Sequence, residues 1–170
     1  MKLKHIFSYT LAFAIPAGFL FLGSCGDSEE ALPAGTVAAE LNGEFWLSTQ
    51  ATATLANVGN NEVRLTISGL NNSNEGIFAG VTTAENNLLR MHEITSQQNG
   101  EFIAYRPPGT TSVIESHSSF GCGSITGEII ITEYNPEERY VSGFFDGQIC
   151  RGDGTDPLLV SAGEFVRIKF

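Results

Sequence analysis

Residues 62–68 read Glu-Val-Arg-Leu-Thr-Ile-Ser, and this stretch decides the fold class. Its apolar residues alternate with polar ones, which is the period of two expected of a strand with one buried face. Upstream, one parity of residues 45–55 is apolar: Phe45, Leu47, Ala51, Ala53 and Leu55. Between the two stretches, residues 57–61 (NVGNN) tolerate positive φ. The sequence therefore predicts two strands joined as a hairpin.

Turn-forming residues divide the rest of the chain into short segments. They occur at 71–76, 86–87, 99–100, 107–109 and 135–136. The segments between them are rich in β-branched and aromatic residues: 77–81, 88–94, 102–105, 125–131, 140–149 and 165–170. No window carries a sustained helical stripe, so we expect little helix, at most one turn within residues 83–87. The pattern predicts an all-β fold, a single antiparallel β-sandwich or a curled half-barrel with little helix.

The first 24 residues have the layout of a secretory signal peptide. Lys2 and Lys4 form a basic start, and residues 6–22 are mostly apolar. A transmembrane anchor is the alternative, but Pro16 interrupts the run and a span needs about 20 apolar residues. The run ends in residues 22–25 (LGSC), which resemble a lipobox. That resemblance implies cleavage after residue 24 and lipidation of Cys25, with acyl groups such as palmitate holding the protein on a membrane.

Residues 25–35 are predicted to be a lipidated acidic tether, followed by a β-rich domain over residues 36–170. Residues 26–30 (GDSEE) resemble the acidic tag of Bacteroidota lipoproteins that face outward from the outer membrane. An ordinary solvated tether is the alternative, because a short charged stretch cannot bury a core. We expect a cell-envelope protein, lipid-anchored to the outer membrane, and its periplasmic or surface-exposed orientation stays open.

The charge balance argues against a nucleic-acid partner. The formal charge is −10, and it becomes −12 without residues 1–24, because Lys2 and Lys4 are lost and all nineteen acidic residues are kept. Phosphate contacts need clustered Lys and Arg, and the basic residues that remain are scattered. The membrane through the lipid, and a protein or glycan, are the expected partners.

Two cysteines remain beside Cys25, and an oxidising compartment favours a disulfide between them, Cys122 and Cys150. A metal pair or a nucleophilic thiol is the alternative. The chain has no CxxC motif, and residues 26–170 contain only His92 and His117, which is poor spacing for zinc. We therefore expect no metal cofactor from the cysteines.

Three short motifs together resemble a known type of family. They are residues 41–46 (LNGEFW), 141–145 (VSGFF) and 163–166 (GEFV). They look like those of uncharacterised Bacteroidota lipoproteins of the domain-of-unknown-function type. Such chains begin with a Gly-x-x-Trp strand and end with a strand pair of Ser-Gly-x-Phe and Gly-x-Phe form. The resemblance implies a small extracytoplasmic β domain, and it supplies no catalytic residues.

Candidate binding residues are Trp46 and a group of aspartates. Trp46 lies on the parity opposite to the apolar face of its strand, so it is either an outward ligand platform or a core anchor. Asp146, Asp153 and Asp156 lie near one another in sequence, and residues 153–156 (DGTD) look like part of a calcium loop. An ordinary Asp/Gly turn is the favoured interpretation. We therefore expect no cofactor, with calcium as the alternative.

The sequence shows no catalytic constellation, and we expect a non-enzyme. A hydrolase would have to use Glu115, His117 and Ser118 or Ser119, but neighbouring strand residues point to opposite faces and no GxSxG motif surrounds them. The favoured function is a non-catalytic binding module that uses strand faces and the loops around Pro107 and Asp153. A structural envelope component, or an inhibitor that pairs through a β edge, is the alternative.

Overall fold

The computed structural model describes residues 31–95, 100–115, 126–150 and 157–170. Strands account for most of them: β1 (Thr36–Leu41), β2 (Glu44–Leu47), β3 (Gln50–Gly59), β4 (Glu62–Leu70), β5 (Gly76–Ala84), β6 (Met91–Ile94), β7 (Phe102–Arg106), β8 (Ile114–Glu115), β9 (Gly127–Asn135), β10 (Tyr140–Ile149) and β11 (Leu158–Lys169). The described residues include no α-helix, and the single 3₁₀ turn, Glu85–Asn87, lies within the predicted residues 83–87. The predicted all-β class is confirmed.

The strands form two antiparallel sheets. The six-stranded sheet has the order β2-β1-β11-β10-β9-β6, and the five-stranded sheet has the order β3-β4-β5-β7-β8. The inner faces share one core, which includes Leu65 and Ile67 from β4 and Phe165 and Ile168 from β11. Two separate sheets thus face each other over one core, and neither closes into a barrel, so the fold is the sandwich rather than the half-barrel.

The chain changes sheet between β2 and β3, at Ser48 and Thr49. The Ser48 hydroxyl oxygen accepts the backbone N–H of Val37 at 2.8 Å, and the N–H of Thr49 donates to the carbonyl of Leu70 at 2.8 Å. The prediction of one strand over residues 45–55 is therefore wrong. Alternation continues through the corner in the sequence, although Phe45 and Leu47 before the corner face solvent, whereas Ala53 after it faces the shared core. The hairpin prediction is confirmed, because β3 and β4 pair antiparallel.

Two reciprocal glycine–phenylalanine pairs join β10 to β11. Gly143 lies opposite Phe165, and Gly163 lies opposite Phe145. A Cβ on Gly143 would collide with the Ile130 carbonyl oxygen and the Phe165 ring. The rings of Phe145 and Phe165 stack with centroids 6.3 Å apart. The Ser-Gly-x-Phe and Gly-x-Phe motifs thus have a packing reason, because each glycine makes room for the other strand's aromatic ring.

Residues 31–170 form one compact unit by their contacts, and the predicted signal peptide and Cys25 lie outside the described residues. In the described part of the chain, no helix combines the length and apolar character needed to cross a membrane.

Candidate functional site

A groove of about 730 Å³ lies on the outer face of the six-stranded sheet. We call it the outer groove, and its walls include Glu93, Glu128, Asp146, Gln148, Leu159 and Ser161. Ala162 also lines it and has a φ of 48°, at a point where the register of β11 against both neighbours shifts. Such bulges bend a strand locally and re-aim side chains. The groove follows this bend.

Three carboxylates lie side by side along the outer groove. Glu93 of β6 is opposite Glu128 of β9, and Glu128 is opposite Asp146 of β10. Like charges directly opposite one another in a sheet are destabilising. The lining within the described residues contains no Lys, Arg or His that would offset them. We call Glu93, Glu128 and Asp146 the acidic row, and it places three neighbouring negative charges along the groove.

A second row, two residues further along each strand, is largely apolar. The pairing register runs across all six strands through Met91, Ile130, Phe144, Glu164, Ala38 and Leu47. Phe144 is 47% exposed and Met91 51% exposed. We call Met91, Ile130, Phe144 and Leu47 the apolar row. Met91, Ile130 and Phe144 lie directly beside the acidic row on β6, β9 and β10, whereas Leu47 lies at the other edge of the same sheet face.

A second pocket, of about 350 Å³, lies beside Glu75 in the turn between β4 and β5. The Glu75 carboxylate accepts three hydrogen bonds: from Trp46 Nε1 at 3.0 Å, from Asn71 Nδ2 at 2.7 Å and from the Tyr105 hydroxyl at 2.6 Å. Trp46 belongs to the six-stranded sheet and Tyr105 to the five-stranded sheet. One carboxylate therefore ties the two sheets together, and the arrangement is primarily structural.

Trp46 is a core anchor rather than an outward platform. It is 6% exposed, whereas its neighbour Phe45 is 70% exposed. A Cβ on Gly69 of β4 would lie 3.1 Å from the Trp46 ring, so the indole reaches across to the opposite sheet. The parity argument failed because the exposed side of β2 is itself apolar. Trp46 still contributes to the wall of the Glu75 pocket.

Several of the remaining predicted site residues lie outside the residues that the structure describes. Asp146 lines the outer groove, but Cys25, Cys122, Asp153 and Asp156 lie outside the described residues. The residues proposed for a hydrolase also lie outside, except for the backbone of Glu115 in β8. Across the described ranges, no three His, Cys, Asp or Glu side chains are grouped to hold a metal. The calcium loop stays a prediction, as do the hydrolase residues.

The buried His92 belongs to no metal-binding group of side chains among the described residues. Its Nε2 lies 3.0 Å from the carbonyl oxygen of Leu88. This contact fixes the ring within the core beside β9.

Sequence reasoning missed the acidic row and the Glu75 hub. Residues 93, 128 and 146 are far apart in the chain, and only the pairing of β6, β9 and β10 brings them into line. Glu75 is an unremarkable polar residue in a turn until Trp46 and Tyr105 are placed beside it. No local pattern signals either arrangement.

These features define a class of protein: an all-β sandwich with an open acidic and apolar groove on one sheet and a polar hub between the sheets. The chain matches the domain of unknown function DUF6252 over residues 34–169 and belongs to that family. The match spans every strand from β1 to β11. No curated protein and no solved structure gives a significant match. The resemblance to an uncharacterised domain family is confirmed at that level.

Proposed function

We propose that the chain is an exported, lipid-anchored module of the cell envelope that binds a partner protein without catalysis. The observation that carries this proposal is the composition of the outer face of the six-stranded sheet. Among the described residues, five of the eight exposed large hydrophobic side chains lie on that face: Phe45, Leu47, Met91, Phe144 and Leu159. Clustered exposed apolar side chains are typical of interaction surfaces.

The acidic row defines the chemistry of the partner. Because the lining offers carboxylates and no described cation, the matching surface carries Lys or Arg next to aliphatic or aromatic side chains. A basic partner would offset the repulsion among Glu93, Glu128 and Asp146. Nucleic acid and other polyanions are disfavoured by the same charges.

The proposed cellular location rests on the sequence of the first 30 residues. The basic start, the apolar run and the LGSC motif support export and lipidation of Cys25. The GDSEE stretch supports an outer-membrane location. Cys150 is a buried, disulfide-bonded cysteine whose partner lies outside the described residues, which supports pairing with Cys122 and an oxidising compartment.

The proposed location and lipid anchor are tested by the intact mass of the protein extracted from membranes, with and without reduction before thiol alkylation. We expect a mass that begins at lipid-modified Cys25, with two alkylations that appear only after reduction. An unprocessed mass, or thiols that react without reduction, would contradict the exported location.

The binding surface is tested with an immobilised peptide that alternates Lys with Leu and Phe, and with the same peptide carrying Glu in place of Lys. We expect the Lys peptide to bind and its affinity to fall as salt is added. Phe144→Ala should weaken binding by about tenfold, because a central aromatic anchor is lost. Val113→Ala is the matched control, since Val113 is an exposed apolar residue that precedes β8 and lies outside the six-stranded sheet. Equal binding of both peptides, or equal effects of the two variants, would overturn the proposed surface.

A further inference from the structure

Strand β3 is the long edge of the five-stranded sheet. Its ten residues, Gln50–Gly59, pair with β4 on one side, and no described strand pairs on the other side. The other sheet edges are shorter, with four residues in β2, four in β6 and two in β8. In an antiparallel edge strand, every second residue directs its N–H and C=O away from its neighbour. About five such residues of β3 therefore offer backbone hydrogen bonds to a further strand.

This edge also lacks the usual protection against strand pairing. Natural edge strands carry charges, prolines or bulges that block a second strand. Residues 45–61 contain no charged residue, no histidine and no proline. The one register irregularity of β3 lies near its end, between Asn57 and Gly59. Gln50, Thr52, Thr54 and Ala56 are all exposed.

We propose that β3 pairs antiparallel with β3 of a second copy, so that two five-stranded sheets join about a two-fold axis. The inference goes beyond the proposed function, because it concerns the other sheet. A second copy fits because the molecule carries a formal charge of −10, and most of its surfaces would repel one another. The uncharged stretch is where two copies approach without opposing carboxylates. A basic partner strand, by contrast, would find no acidic side chain on β3.

The side chains of β3 suit pairing with themselves. Thr52 and Thr54 lie on the outer face, whereas Ala53 faces the core and is buried. Antiparallel two-fold pairing about this region places small Ala and Thr side chains opposite one another, and cross-strand Thr pairs are stabilising. The contact is isologous, so each copy uses its single β3 edge and assembly ends at the dimer.

The test is sedimentation equilibrium of the full chain in a density-matched mild detergent, which reports the protein mass alone. We expect a dimer with twice the 18.2 kDa mass of the full sequence, or twice the processed mass if the chain is cleaved. Thr54→Lys should raise the dimer dissociation constant by more than about tenfold, because two like charges meet at the joined edges. It also reduces the overall negative charge, so general repulsion cannot account for the loss.

Thr132→Lys is the matched control, because Thr132 is an exposed threonine on β9 of the other sheet, and this variant should remain dimeric. A wild-type chain that stays monomeric up to about 100 μM would overturn the proposal. So would equal weakening by both Lys variants, no weakening by Thr54→Lys, or a series of species larger than the dimer.

Discussion

The Glu75 carboxylate connects both sheets, and its loss should destabilise the whole sandwich. Glu75→Ala removes the acceptor of the buried Trp46 Nε1–H, together with the bonds from Asn71 and Tyr105. An unsatisfied buried donor costs about 1–3 kcal/mol, so we expect a loss of about 2 kcal/mol in the free energy of unfolding. Urea unfolding followed by tryptophan fluorescence reports this site directly, because the chain has one tryptophan.

Glu44→Ala is the control for this measurement. Glu44 lines the same pocket but is exposed on β2. It should leave both stability and the fluorescence emission maximum nearly unchanged. Equal destabilisation by the two variants would mean that Glu75 is not the hub.

Tyr134 has a hydroxyl that should resist ionisation. Partial burial, together with a 2.5 Å hydrogen bond to the Glu85 carboxylate, raises its pKa to about 12. A raised tyrosine pKa favours the neutral folded form, so this stabilisation is present below the ordinary pKa near 10 and is lost as the pH rises through about 12. In an absorbance titration at alkaline pH, we expect a late tyrosine transition whose amplitude Tyr134→Phe reduces, while Tyr140, whose pKa is also raised by its hydrogen bond to Glu133, continues to contribute.

Glu85→Gln should bring the transition of Tyr134 toward the ordinary value, because the neighbouring negative charge is gone. If the wild-type titration lacks a late transition, the contact between Tyr134 and Glu85 does not persist in solution.

At the level of elements, the glycine–phenylalanine pairs between β10 and β11 predict that one added methyl group destabilises the fold. Gly143→Ala places a Cβ against the Ile130 carbonyl oxygen and the Phe165 ring. Overpacking of this kind typically costs about 1–3 kcal/mol, and we expect a loss of about 2 kcal/mol in the free energy of unfolding, measured by urea denaturation. Thr132→Ala on the neighbouring strand is the control and should change little. A neutral Gly143→Ala variant would show that β10 and β11 separate more easily than their register indicates.

Alternation in the sequence predicted strands where one face is clearly buried and failed where exposed residues are apolar. Residues 62–68 lie within β4, and residues 140–149 coincide with β10. By contrast, Phe45 and Leu47 resemble core residues but face solvent, which hid the corner at Ser48. The last strand begins at Leu158 rather than at residue 165, because its bulges break the period of two. Strand β1 was missed, since its three consecutive buried residues, Val37–Ala39, do not alternate.

At the level of the whole molecule, composition and turn spacing predicted an all-β fold but could not distinguish a sandwich from a half-barrel. That choice depends on pairings between distant segments, such as β1 with β11 and β6 with β9. The same limit applies to the candidate site. Asp146 was identified as a single residue, whereas its alignment with Glu93 and Glu128 depends on sheet order.

The central position of β11 has a consequence for the order of events in biosynthesis. The last strand, β11, lies between β1 and β10. The six-stranded sheet therefore cannot be completed until residues 158–169 are available. Strands β3, β4 and β5 are consecutive and can pair early, but β1 must wait for a partner more than a hundred residues away. Long-range pairing of this kind slows folding. A nascent chain can therefore form the β3–β4–β5 hairpins early, but the sandwich core cannot close until synthesis is almost finished.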